Sequence, residues 1–276
     1  MCGASGEIVR TFIARHAVGL REAGIEVAVV VLDEDLRARQ HPVRHLWRLA
    51  TRQARVSRCS RPTALARILV YRALAERSSD NPKDVPPSLP PQLPTVRVPT
   101  LNAPAAAEAT RNFSSDLVCL MGARFLTRRT LRSIGVPVVN IHSSDPRWVR
   151  GGPVVVWEVL ADRPELTLVV HEVTEQLDAG AILAQGAQPI VYHGGLGATT
   201  MWTMGAARST VADLFDQVVR DAAAGAPRRT TFVPGILKVT PSVALSMRAE
   251  LLCRRRSRSG AAAGTGSESA PPYPRA

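Results

Sequence analysis

Asn140, Ile141 and His142 close an apolar run, 136–141, that reads as a buried strand. Residues two apart on a strand face the same side, so the Asn140 amide and the His142 imidazole project together. They do so at the carboxyl end of the strand, where open α/β sheets build their sites. An amide donor beside an imidazole can polarise a carbonyl and stabilise the oxyanion formed when that carbonyl is attacked. Asp178 follows 38 residues after Asn140, in the loop Gln176-Leu177-Asp178-Ala179-Gly180. A carboxylate there can orient His142 and raise its basicity, or take a proton through water. Singly these features are ordinary: Asn-x-His recurs by chance and Asp-x-Gly is a common turn. Their order and spacing together carry the reading.

The surrounding sequence alternates strands with helices, which argues an α/β fold with a mostly parallel, Rossmann-like sheet and helices on both faces. Gly3-Ala4-Ser5-Gly6 leads into a helix over 8–23, closed by Gly24, and then into a β-branched strand, 27–32. This is the second half of a βαβ unit. Met1-Cys2 is all that stands in place of its opening strand, so the first strand reads as truncated, with its remainder expected upstream of Met1. Residues 36–78 keep apolar spacing among arginines and predict two helices, and 81–94 reads as a proline-rich extended loop. Further strands are expected at 117–121, 166–173 and 181–190, and helices at 105–112, 126–133, 153–162 and 209–224. The expected organisation is a domain over 1–197 with an Arg-rich helical insertion at 36–99, a helical extension at 198–247, and a basic, loose tail at 248–276. Within that tail, residues from Arg254 onward show no apolar periodicity.

The formal charge of the 276-residue chain is +12, and 33 of its 35 basic residues are arginine. Residues 36–99 carry +10 and 248–276 carry +4, which leaves −2 for everything else. The charge therefore belongs to the insertion and the tail. The insertion offers only Trp47 and Tyr71 as stacking aromatics, so a nucleic-acid partner is disfavoured and the arginines read as solvated helix faces. No apolar run approaches the ~18–20 residues of a membrane span and no signal peptide is evident, so a cytoplasmic protein without a membrane partner is expected. Four scattered cysteines argue against a zinc site and against a disulfide framework, and no metal is expected. His171, in a strand, reads as structural.

Three blocks then resemble a known family. They are Leu120-Met121-Gly122-Ala123-Arg124-Phe125-Leu126-Thr127, Val139-Asn140-Ile141-His142-Ser143-Ser144, and the run from His171 to Gln185 that contains Asp178, with Arg150-Gly151 between the last two. The chain is similar here to the formyltransferases that use 10-formyltetrahydrofolate, a group that includes glycinamide ribonucleotide, methionyl-tRNA and sugar-amine enzymes. The resemblance is close over 116–190 and looser over 3–35. It implies a catalytic triad of Asn140, His142 and Asp178, with Asn140 and protonated His142 stabilising the oxyanion and Asp178 orienting His142. It also implies a folate pocket walled by Met121, Gly122, Ala123, Arg124, Phe125, Leu126, Thr174 and Leu177, largely through backbone groups. The co-substrate implied is 10-formyltetrahydrofolate, and the partner a small-molecule amine, such as an amino sugar or a nucleotide-linked amine. The Gly3–Gly6 loop, at a helix N-terminus, suits an anionic group on that acceptor.

Departures from the family pattern keep other readings open. The family continues His-Pro-Ser-Leu-Leu-Pro where this chain has His142-Ser143-Ser144-Asp145-Pro146-Arg147. A formyltetrahydrofolate hydrolase would use the same triad with water as acceptor, and a catalytically degenerate binding protein would keep the fold alone. The transfer-RNA enzyme needs a further β-barrel domain, which the residues after Ile190 do not supply.

Overall fold

A computed structural model describes residues 2–3, 7–34, 41–75, 88–122 and 125–263. Ala4–Gly6 of the glycine loop, Ala123 and Arg124 of the expected folate wall, residues 81–87 of the proline-rich loop and the tail 264–276 lie outside them.

Seven strands form one sheet: β1 (Cys2–Gly3), β2 (Val30–Asp33), β3 (Thr95–Val98), β4 (Val118–Leu120), β5 (Val138–His142), β7 (Glu165–Glu172) and β8 (Ile182–Pro189). Their order is β3-β2-β1-β4-β5-β7-β8. The β3 to β5 portion is parallel, and β5-β7 and β7-β8 are antiparallel. Cys2 pairs with Val31 on one side and Leu120 on the other, so β1 occupies the central position where the sequence places the end of an opening strand. A second, two-stranded parallel sheet joins β6 (Val149–Gly151) to β9 (Ile236–Lys238).

The helices are α1 (Glu7–Glu22), α2 (Pro42–Ser57), α3 (Arg61–Ala75), α4 (Pro104–Asn112), α5 (Arg128–Ile134), α6 (Val154–Leu160), α7 (Leu196–Ala223) and α8 (Val243–Ala263). Strand alternation divides the core into two layers. Val30, Leu32, Cys119 and Val139 pack with Val9, Phe12 and Leu20 of α1 and with Val211 and Phe215 of α7. Val29, Val31, Val118, Leu120 and Val138 pack on the opposite face with Ala106 and Ala109 of α4 and Ile134 of α5. Strands buried on both faces explain the near-continuous apolar runs in the sequence. The insertion helices have a small core of their own, Ala50 and Ala54 against Ala64 and Ile68.

The structure departs from the sequence reading in four places. β3 forms directly after the proline-rich stretch, as a short edge strand in which only Val98 is buried. The helix expected to begin at Ser209 starts at Leu196 and joins the main core, so the boundary at 197 falls inside α7. The boundary at 248 falls inside α8, which continues to Ala263 where a loose tail was expected. Its buried face is made of small and polar residues, Ser246, Ala249, Glu250 and Cys253, which follow a helical spacing without raising hydropathy. The β6–β9 pair has no counterpart in the sequence reading.

Candidate active site

Asn140 and His142 lie at the end of β5, on the face shared with Val138. Asn140 is half-buried and His142 buried. His171 of β7 stands directly across from Asn140 in the antiparallel ladder, which puts it on the same face. Asp178 completes the cluster from the β7–β8 connection. Its Oδ2 lies 3.7 Å from His142 Nδ1 and its Oδ1 3.6 Å from His171 Nε2. All three of these side chains are buried.

The loop that delivers Asp178 is tightly built. Asp178 adopts a left-handed φ of 46°, and its Oδ2 accepts the Gly151 N–H at 2.8 Å. Gly180 passes so close to the Glu172 carbonyl that a Cβ would sit 2.1 Å from that oxygen. Arg150 ties the loop down, with Nη1 donating to the Leu177 carbonyl at 3.0 Å and Nε to the Gly235 carbonyl at 2.9 Å. Gly151 itself has φ +80°, and a Cβ there would lie 2.6 Å from the Lys238 carbonyl oxygen. The Arg150-Gly151 pair therefore joins the carboxylate to the β6–β9 sheet.

Both ring nitrogens of His142 face protein atoms. Nε2 donates to the Val149 carbonyl at 3.0 Å, and Nδ1 faces Asp178. Burial pulls the His142 pKa below its ordinary value, against the opposing pull of Asp178 and the Val149 carbonyl. A lowered pKa keeps the ring neutral at pH 7, in contrast to the protonated imidazole expected from the family resemblance. For Asp178 burial pushes upward, but His171, His142 and the Gly151 N–H outweigh it and hold the carboxyl below its usual range. The result is an ionised carboxylate beside a neutral imidazole. Such a pair can accept a proton and hold the resulting imidazolium.

This cluster opens into a cavity of about 820 Å³. Phe125, Leu126, Thr174 and Leu177 line it together with Asn140, His142, His171 and Asp178. Met121 is instead buried in the α1-side core, Gly122 lies under Ile8, and neither residue is part of the cavity lining. Asn102 holds the 125–130 segment in place: its Nδ2 donates to the Phe125 carbonyl at 3.1 Å, and its Oδ1 accepts from Thr127 N at 2.6 Å and Thr130 Oγ1 at 2.9 Å. The other wall comes from the insertion, with Arg52, Gln53 and Val56 of α2 and Ile68, Tyr71 and Arg72 of α3. Burial pushes the Tyr71 hydroxyl up to about 12, so it remains a proton donor. The segment after His142, where the sequence leaves the family pattern, turns away from the cavity. Ser144 donates to the buried Glu158, and the Pro146 carbonyl accepts from Gly235 N at 2.9 Å.

Sequence reasoning missed two contributors. In the sequence His171 reads as structural, although its placement opposite Asn140 follows from pairing β5 with β7. Asn102 carries no local signal, because its role depends on a loop 23 to 28 residues away.

Residues 73–201 match the family model described as formyl transferase, a span that includes Asn140, His142, His171 and Asp178. Over this span, a little under half of the chain, the sequence is similar to that family. Methionyl-tRNA formyltransferase of Enterococcus faecalis is 29% identical over 91 residues, which is 33% of this chain and 29% of that protein. The Lactobacillus johnsonii protein of the same name is 37% identical over 67 residues, which is 24% of this chain and 21% of its own. The chain thus spans less than a third of the length of these curated relatives. The solved glycinamide ribonucleotide transformylase 1 of Symbiobacterium toebii shares the fold at 19% identity and a TM-score of 0.51, covering 84% of this chain and 92% of that one. The chain is therefore an α/β fold with a mainly parallel sheet, as the sequence predicts. Among the described residues no helix is long and apolar enough to cross a membrane.

Proposed function

We propose that the domain transfers the formyl group of 10-formyltetrahydrofolate to a primary amine of a small-molecule acceptor, an amino sugar or a nucleotide-linked amine. The observation that carries this reading is the buried Asp178–His142 pair beside Asn140, at the head of a cavity large enough for a pteridine and an acceptor. The residues present suit the folate: Phe125, Leu126 and Leu177 offer an apolar slot for a flat ring, and Thr174 a polar edge. When bound, the folate supplies an activated formyl carbon on N10.

The chain's own residues would then act as follows. Asn140 donates to the formyl oxygen as the acceptor nitrogen attacks and negative charge builds there. His142, neutral beforehand, takes the proton that the attacking nitrogen sheds, and Asp178 stabilises the imidazolium. His142 returns that proton to N10 as the carbon–N10 bond breaks, leaving a formamide and tetrahydrofolate. For Nε2 to serve the substrate it must leave the Val149 carbonyl. For Nδ1 to serve, the ring must turn from Asp178. His171 holds Asp178 from its other oxygen and acts as a positioning residue.

Incubation with 10-formyltetrahydrofolate and a panel of amines, with products identified by mass, tests the proposal. Formyl transfer that His142→Ala abolishes is the expected result. Release of free formate without an amine would assign a hydrolase instead, and formyl loss that persists in His142→Ala would remove the chemistry assigned to this residue.

A further inference from the structure

The outer face of α2 carries a row of cations that no carboxylate of its own element balances. Arg44, Arg48, Arg52 and Arg55 are spaced four, four and three residues apart, so they share one side of the helix, and all are exposed. Neither α2 nor α3 contains an aspartate or a glutamate. Among the described residues, none of the four arginines forms an ion pair. Like charges four residues apart repel, and Arg44 also opposes the dipole at the helix N-terminus. The ridge therefore works against its own helix, and carboxylates from outside the chain would relieve it. Exposed apolar side chains border it, Val43 and Trp47 on one side and Val56 on the other. Trp47, Thr51 and Val56 join Arg48, Arg52 and Arg55 in a groove of about 340 Å³. Arg52 and Val56 line this groove and the active-site cavity alike, so the two adjoin, while Arg44, Arg48 and Arg55 stay outside the cavity lining.

Nucleic acids, anionic membranes and acidic proteins could all meet such a charge. A nucleic-acid strand asks for aromatic faces in succession, and of Phe, Tyr and Trp α2 offers Trp47 alone. A membrane asks for one coherent apolar stripe, but that face of α2 is turned inward, with Ala50 and Ala54 against Ala64 and Ile68 of α3. Apolar contacts on both flanks of a cationic row suit an acidic amphipathic helix. Its carboxylates would meet the arginines while its apolar residues cover Trp47 and Val56. We infer that the outer face of α2 docks an acidic amphipathic helix of a partner protein at the mouth of the active-site cavity. This goes beyond the proposed reaction and needs no bound folate. The arginines of the insertion, which in the sequence read as solvated helix faces, thereby gain a specific use.

The test titrates the full chain into a labelled, side-chain-stapled peptide of about eighteen residues, long enough to span α2, and follows fluorescence anisotropy. The peptide carries leucines on one face and glutamates on the rest, and a peptide of the same composition with its leucines scattered serves as control. The amphipathic peptide should bind at least about tenfold more tightly than the scattered one, and high salt should weaken it. Arg48→Ala/Arg55→Ala should weaken binding by about tenfold or more, and Trp47→Ala by about fivefold. Arg21→Ala/Arg129→Ala removes the same charge from exposed positions of α1 and α5 and should leave binding within about twofold. Thermal melting checks that each variant folds. Equal binding of the two peptides, or binding that survives the loss of Arg48 and Arg55, would overturn the inference. Tighter binding of a single-stranded oligonucleotide or of phosphatidylserine vesicles than of the peptide, lost in the same double variant, would overturn it too. A concentration-dependent dimer abolished by that variant would assign the face to a second copy and also overturn it. Formyl transfer to a free amine should be the same in Arg48→Ala/Arg55→Ala as in the unaltered chain, so failure of the docking face and failure of the proposed reaction are read separately.

Discussion

Replacing Asp178 with asparagine removes one negative charge while keeping an oxygen for the Gly151 N–H that Oδ2 now accepts at 2.8 Å. The fold should therefore survive, and the electrostatic loss can be read separately. His142 Nδ1 lies 3.7 Å from the carboxylate, with both groups buried. At an effective dielectric of about 20, a unit pair at that separation is worth roughly 4 kcal/mol. If the imidazolium exists only once the amine has attacked, nearly all of that is differential stabilisation, about three orders of magnitude in rate. Two measurements follow. Histidine titration by NMR should place His142 of Asp178→Asn still lower than in the unaltered chain, since burial would then act with less opposition. Single-turnover formyl transfer should slow by about a thousandfold, with the melting temperature nearly unchanged. A His142 that titrates where it did before, or turnover within about tenfold of the unaltered chain, would refute the pairing of carboxylate and imidazole as the source of catalysis.

Three further outcomes are expected. Gly151→Ala should destabilise the fold by about 2–3 kcal/mol in denaturant titration, because alanine strains the left-handed backbone and its Cβ meets the Lys238 carbonyl; an unchanged midpoint would contradict the geometry. Asn102→Ala removes the amide that organises the 125–130 segment and should raise the folate Kd by about tenfold with a smaller effect on kcat, checked by comparing the two parameters. Stability should fall as pH drops below about 6.5, because His142 has a lower pKa folded than unfolded and the unfolded chain binds the extra proton. Asp178, also lowered, should add a second loss as pH falls below about 4. His142→Gln should flatten the first of these slopes in denaturation curves collected across pH.

The parts of the fold that were legible in the sequence are those whose burial is symmetric. β2, β4 and the start of β5 lie between two helical layers, and β7 between a helical layer and the cavity wall, so every residue of 138–139, 118–120 and 168–171 is apolar or buried, and the runs stand out. β3 and β9 are different: β3 is an edge strand with alternating arginine, and in β9 Ile236 is 64% exposed, so neither carries a buried run. α8 was lost because its inward face is serine, alanine, glutamate and cysteine. Of the site, Asn140, His142 and Asp178 were readable because their order along the chain reflects a strand end and the following hairpin. The second wall was not readable. That Arg52 and Tyr71 reach the same cavity as Asp178 depends on how α2 and α3 dock, and that docking runs through Gln53 to Thr240 and Gly197 to Ala75, partners more than a hundred residues away.

The junction at Gly151 has a consequence for the order in which the molecule is assembled. The residue that donates to Asp178 is held by a strand pair whose other member, Ile236–Lys238, lies 85 or more residues further along the chain. Asn140, His142 and Asp178 are thus all synthesised well before the element that braces their carboxylate. A nascent chain can complete β4, β5 and β7 and still hold Asp178 loosely. Only when residue 238 has emerged and paired does the hydrogen bond from Gly151 have a fixed origin. Competence for chemistry is therefore expected late, as one of the last local events in folding, after the sheet that carries the reacting groups is already in place.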